Sequence, residues 1–178
     1  GQFACVMDFS LQEMINQMGG SVVSAGPERL MGAGLNGVPM IVAPGATDLV
    51  DYPAWGQMPE RFAGRPSHEH NRLIASVGID ANMRREFAHE LVNRLSQAKG
   101  PVHLVLPELG IEEWDRPGAP MHDPEGLAAM MDEFDKCNLE GIEVSRIQSH
   151  INDAGFVQQV LAVFDDWVDR GLVKKVAQ

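Results

Sequence analysis

A chain of 178 residues, 44% of them hydrophobic, is long enough to bury one core without a disulfide or metal staple. Its 25 acids against 14 Lys and Arg leave a net charge of −11, which repels phosphate backbones and argues against nucleic acid as a partner. No apolar stretch reaches bilayer length, and Cys5 and Cys137 lack Cys-x-x-Cys spacing, so the expectation is a reduced, cytoplasmic protein with no membrane contact.

In chain order, residues 3–7 read as a buried strand. Ser10 and Glu13 make a capping-box pattern ahead of Leu11, Met14, Ile15 and Met18, which recur at helical spacing until Gly19-Gly20. Residues 21–24 form a short extended run. Pro27 starts a helix that reaches Leu35 and stops at Gly37. The second strand is 40–43. A polar loop rich in Gly and Pro then runs from 44 to about 71, a length that points to function or to short structure within it. Residues 73–77 are a third strand.

Asp80 is the expected N-cap of a helix over 83–97, with Phe87, Leu91, Val92 and Leu95 as its apolar stripe. Arg84-Arg85, the one dense basic spot, falls on a face of that helix. Residues 102–106 are the best strand in the chain. The loop 107–122 holds an acidic turn at Glu112-Glu113-Trp114, where a solvated face is the simplest expectation. Asp123-Pro124 opens a helix to about 137. The last strand is 142–147. The last helix is 156–168, with Val157, Val160, Leu161 and Phe164 as its expected core side.

This alternation indicates an α/β fold: a Rossmann-like three-layer domain with a mostly parallel sheet of about five strands and helices on both faces. Ligands in such sheets collect beyond the carboxyl ends of the strands. Those ends carry Asp8–Ser10, Gly45-Ala46-Thr47-Asp48, the run 107–110, and Ser149 to Asp153, and they should converge on one edge. His150 to Asp153 reads either as an acid/base or anion-holding group, or as a helix cap. His122 and Asp123 carry the same ambiguity. His68-Glu69-His70-Asn71 would suit a metal only if extended, and solvated histidines are the plainer reading, so no metal site is assigned. His103, mid-strand, reads as a satisfied core histidine. No Gly-x-Ser-x-Gly elbow and no P-loop occur.

Eight separated runs can be read together: Ser24-Ala25-Gly26-Pro27-Glu28-Arg29-Leu30, Gly37-Val38-Pro39, Gly45-Ala46-Thr47-Asp48-Leu49-Val50, Pro59-Glu60-Arg61-Phe62, His70-Asn71, Gly100-Pro101, His122-Asp123-Pro124 and His150-Ile151-Asn152-Asp153. Their order and spacing resemble the carboxyl-terminal half of the ATP-binding family named after the plant tobamovirus-resistance protein, whose bacterial members are largely uncharacterised. The resemblance implies that residues 1–178 are a single α/β domain, the C-terminal part of a longer two-domain protein.

It further implies an N-terminal α/β half as partner, a homo-oligomer, and ATP with Mg²⁺ as ligand of the full-length protein. By likeness, the ligand-binding positions are Gly45, Ala46, Asp48, His70, Asn71, His122, Asp123, His150, Asn152 and Asp153. The chain departs from the family pattern at Asp51, where relatives tend to carry Asn. It departs again at Val77-Gly78-Ile79, where they carry a Met-Arg-Thr-like run. Two other functions are carried alongside. One is a metal-assisted hydrolase or lyase acting on a small organic acid through His70, His122 or His150. The other is a protein-interaction domain.

Overall fold

The computed structural model describes residues 3–173. Its elements are β1 (Val6–Asp8), α1 (Gln12–Met18), α2 (Met31–Leu35), β2 (Met40–Val42), β3 (Leu49–Pro53), a 3-10 turn (Glu60–Phe62), β4 (Ser67–Glu69), β5 (Ile74–Gly78), α3 (Ala81–Leu95), β6 (Val102–Pro107), a second 3-10 turn (Glu113–Asp115), α4 (Pro124–Phe134), β7 (Ile142–Ile147) and α5 (Ala154–Asp169).

β1, β2, β6 and β7 pair in that order, all parallel. Side chains alternate across the sheet, as strand geometry requires. Met40, Val42, Leu104 and Leu106 join the core built with α1, α3 and α4. Ile41, Ala43 and Val105 face the other way, against Phe156, Val160, Val163 and Trp167 of α5. The three-layer α/β architecture is therefore present, with helices on both faces. The parallel sheet has four strands rather than five, because β5 leaves it and pairs antiparallel with β3 and β4 in a second sheet.

That second sheet is what the expected loop over 44–71 contains. β4 is Ser-His-Glu with little apolar content, so no alternation marks it as a strand. Asp51 on β3 rivets the small sheet to α1. Its carboxylate accepts from Gln12 Nε2 (3.0 Å), Asn16 Nδ2 (3.1 Å) and Ser76 Oγ (2.6 Å), and its N–H donates to Asn16 Oδ1 (2.7 Å).

Two expected caps form: the Asp80 carboxylate accepts from the Met83 N–H (2.8 Å), and that of Asp123 from the Gly126 N–H (2.9 Å). The Ser10–Glu13 box does not. α1 starts after Leu11 with no side-chain cap, and Glu13 instead meets Arg29, which is held by Asp8 at 2.8 Å. Residues 21–24 are not a strand, because the Ser21 and Ser24 hydroxyls accept from the N–H groups of Val23 and Gly26 in local turns. α2 begins only at Met31, after Leu30 takes a left-handed φ of 80°. α5 is rotated from its expected phase: Val157 and Leu161 are 52% and 51% exposed, while Phe156, Val163 and Trp167 are buried.

Candidate functional site

The loops that follow all four parallel strands hydrogen-bond to one another at the carboxyl edge. Leu11 N–H donates to Gly45 O (2.9 Å), Ala46 N–H to Ile111 O (3.0 Å), Ile151 N–H to Gly110 O (2.9 Å) and Leu109 N–H to Ser149 O (3.2 Å). The expected convergence of strand ends is thus present. Gly45 makes the closest crossing: a Cβ there would lie 1.9 Å from Phe9 O. Only glycine allows these two loops to touch.

His150 is the fastening at the centre of this edge. It is 2% exposed. Its Nδ1 accepts from the Asn152 N–H (3.0 Å), which puts the proton of the neutral ring on Nε2. That Nε2–H faces Asp115 Oδ1 (3.0 Å) and Glu112 O (2.9 Å). Asp115 in turn accepts from the Ile111 N–H through its other oxygen (2.6 Å). Both ring nitrogens are occupied in holding loops together.

The ten candidate residues fall into separate places. Gly45, Ala46 and Asn152 line a cleft of about 890 Å³ between the ends of β1 and β2 and the flank of α5. Its walls are apolar (Phe9, Ile111, Phe156, Val160) and its rim carries Asp8, Ser10, Glu112 and Glu113. Asn152 Nδ2 donates to Glu113 Oε2 (3.0 Å) on that rim. Asp153 does not cap α5 with its side chain, because its carboxylate accepts from Arg116 Nη2 (3.0 Å) instead.

His70 lines a different cleft of about 460 Å³, beside Asp51 and the Trp114 ring. Asn71 is a turn residue whose Oδ1 accepts from the Leu73 and Ile74 N–H groups (2.7 and 2.9 Å). His122, Asp123, His150 and Asp153 border a cleft of about 540 Å³ beside α4. Asp48 points into none of these. It lines a small pocket of about 250 Å³ with Arg65, Arg84, His122 and Asp123. His70 and His122 therefore do not share a cleft with one another.

Asp48 is 1% exposed, and neither carboxyl oxygen has a partner. Burial pushes its pKa up to about 6, against the opposing pull of Arg84. Glu112 is pushed up to about 8, by burial first and by Asp48 second. One of its oxygens accepts from the Trp114 N–H (2.7 Å) and the other is buried without a partner. Glu113, in contrast, is exposed and held below the usual range by Asn152 and Arg116.

Four residues of this region are not among the ten ligand-binding candidates: Arg65, Arg84, Glu112 and Asp115. Arg84 is 2% exposed, so it does not belong to a solvated basic face. Its Nη2 donates to Asp123 Oδ2 (3.1 Å), and its buried Nε has no partner. The signal was there, since Arg84 precedes Phe87, Ala88 and Leu91 at three-, four- and seven-residue steps, on the buried stripe. Asp115 is buried too, which a solvated acidic turn does not predict. Among the described residues, no group of three or more His, Cys, Asp or Glu is arranged to hold a metal ion. No described helix is long and apolar enough to cross a membrane.

The C-terminal domain pattern of the uncharacterised protein family UPF0261 matches residues 1–168. The chain belongs to this family. It is 46% identical over 173 residues to a UPF0261 protein of Brucella melitensis, a match covering 97% of this chain and 41% of that protein. It is 27% identical over 161 residues to the ToMV resistance protein Tm-1 of Solanum lycopersicum, covering 89% of this chain and 21% of the tomato protein. A UPF0261 protein of Clostridium tetani is 27% identical over 157 residues, with 88% and 39% covered. The likeness read from eight separated runs is thus a family relationship. The chain spans about two fifths of the length of the bacterial relatives it matches.

Proposed function

We propose that this chain, a C-terminal domain of the UPF0261 family, is the ligand-binding half of a longer protein that takes up ATP with Mg²⁺ at the carboxyl edge of the parallel sheet. The observation that carries this reading is the meeting of all four strand-end loops beside a cleft of about 890 Å³. Open α/β sheets collect ligands at that edge, and the cleft has the size of a small-molecule site.

The apolar walls suit a base. The first turn of α5, with no side-chain cap, offers N–H groups to a phosphate. Among the described residues no Lys or Arg lines this cleft, and Asp8 and Glu113 on its rim are carboxylates, so the nucleotide must arrive with a cation. Mg²⁺ suits such a place because it is held by one or two carboxylates together with the phosphates. The other part of the protein closes the open side.

Calorimetric titration of the full-length protein with ATP, with and without Mg²⁺, tests this. Binding is expected only with Mg²⁺, and Val157→Trp, which fills the exposed flank of the cleft, should weaken it at least about tenfold. No binding with Mg²⁺, or full binding by Val157→Trp, refutes the reading. A second reading, an interaction surface for the rest of the protein, is favoured by Met7, Val157 and Leu161, all exposed around the same cleft. Hydrogen exchange compared between the full-length protein and this chain alone would show protection at these positions if they are covered. Equal exchange would exclude it.

A further inference from the structure

The pocket that holds Asp48 is distinct from the nucleotide cleft, and its chemistry is different. We propose that it binds a short-chain monocarboxylate, taken up together with one proton that resides on Asp48.

Two deeply buried groups line this pocket with atoms unpaired: both carboxyl oxygens of Asp48 and the Nε–H of Arg84. Burying polar groups without partners is costly, so a pocket that keeps two of them is built for something that pairs with them. Arg65 lies at the same pocket, anchored through its Nε–H to Gly78 O (3.1 Å), with Nη2 4.0 Å from Asp123. His122, at the mouth, makes no side-chain hydrogen bond among the described residues.

The charges select the ligand. Arg65 and Arg84 are cationic and Asp123 is anionic. With Asp48 ionised the pocket is neutral overall and its floor repels an anion. With Asp48 protonated, one net positive charge remains, in a protein whose net charge is −11. The Arg84 Nε–H and the Asp48 oxygens are closed to water in this pocket, so a monoanion that binds here must displace the layer over them; it then meets two donors, the second making a charge-assisted hydrogen bond to a carboxylate.

The setting favours that protonation. Burial is the main cause, and Asp115 and Asp123 add negative charge on the same side, while Arg84 opposes them. The remaining walls, Leu49, Pro66, Pro120 and Met121, are apolar and leave room in about 250 Å³ for a short aliphatic tail rather than for a nucleotide.

The test is titration of the full-length, nucleotide-free protein with butyrate, acetate and inorganic phosphate. Butyrate is expected to bind best, acetate more weakly and phosphate not at all. Above pH about 6 the affinity should fall about tenfold per pH unit, with one proton taken up per butyrate in buffers of different ionisation heat. Asp48→Asn keeps a neutral donor, so it should still bind butyrate and lose the pH slope. His122→Gln should keep the slope, which separates Asp48 from the one imidazole nearby. The proposal is overturned by no binding of any probe, by phosphate binding as well as butyrate, or by a slope that survives in Asp48→Asn. ATP binding reports on a different cleft, so the two readings fail independently.

Discussion

His150 and Asp48 are both almost wholly buried, at 2% and 1% exposure, and both follow strands of the same parallel sheet. Their surroundings are opposite. Both ring nitrogens of His150 have partners, and those partners are the loops it holds together. Neither oxygen of Asp48 has one. A buried polar group that is fully paired is a rivet, and its chemistry is used up in holding the fold. A buried polar group left unpaired beside a pocket is held there at a cost to stability, and the ligand proposed for Asp48 would offset that cost. His150, which in sequence reads as either an acid/base group or part of a helix cap, holds loops together through both ring nitrogens, whereas the acid after the glycine loop keeps both oxygens without a partner.

Substitutions on the two sides test this contrast. The largest effect is expected on the riveted side. Gly45→Ala drives a Cβ into Phe9 O and should destabilise the fold by about 3 kcal/mol or more in urea unfolding. A cost under about 1 kcal/mol would mean that the edge is softer than its crossings imply.

Next comes Asp48→Asn, with the opposite sign. The carboxyl has an ordinary pKa of 3.8 and rises to about 6 in the fold, so the native state binds more protons than the unfolded chain between those values. Stability is therefore lost as pH rises from about 4 to about 6, by about 3 kcal/mol in total at 1.36 kcal/mol per pH unit. Asn carries no charge, so the variant should be the more stable protein at pH 7, with the gain vanishing near pH 4. A loss at pH 7 would mean that Asp48 has a partner after all and would erase the contrast with His150.

His150→Ala should cost about 2 kcal/mol, since it strands the Asn152 N–H and the Asp115 carboxylate. It should leave butyrate binding within about twofold, because His150 does not line the Asp48 pocket. The smallest effect belongs to Arg116→Ala. Its ion pairs with Glu113 and Asp153 are largely solvated and should contribute less than about 1 kcal/mol in thermal unfolding.

Much of the fold was legible because local signals sufficed for it. Asp80 and Asp123 cap helices in the structure as their sequence context implies, and the last strand runs over residues 142–147 as read. The misreadings have specific causes. α5 carries apolar residues on more than one stripe, and Val157 with Leu161 has the same spacing as Phe156 with Val160. Which stripe meets the sheet is decided by packing against Ile41 and Val105. β3 is hard to see because its partner β5 lies about twenty residues further along the chain, and β4 because its three residues, Ser-His-Glu, carry no apolar alternation. Ser10 and Glu13 satisfy a capping pattern, but Arg29 offers Glu13 a full charge instead of a backbone N–H.

The candidate site divides in the same way. Sequence alone established the family, the α/β class, and which loops end the parallel strands, because residue order and hydrophobic period are local properties. It could not decide which of the polar residues on those loops are paired. That depends on distances between segments far apart in the chain, such as Asp115 with His150 and Arg84 with Asp123. Tertiary structure alone turned Asp48 away from Gly45, its neighbour in sequence, and set it in a pocket with Arg84 and Arg65. The physical reason is burial: only the folded chain determines which charges lose their water, and hence which are neutralised by a partner and which are left waiting for one.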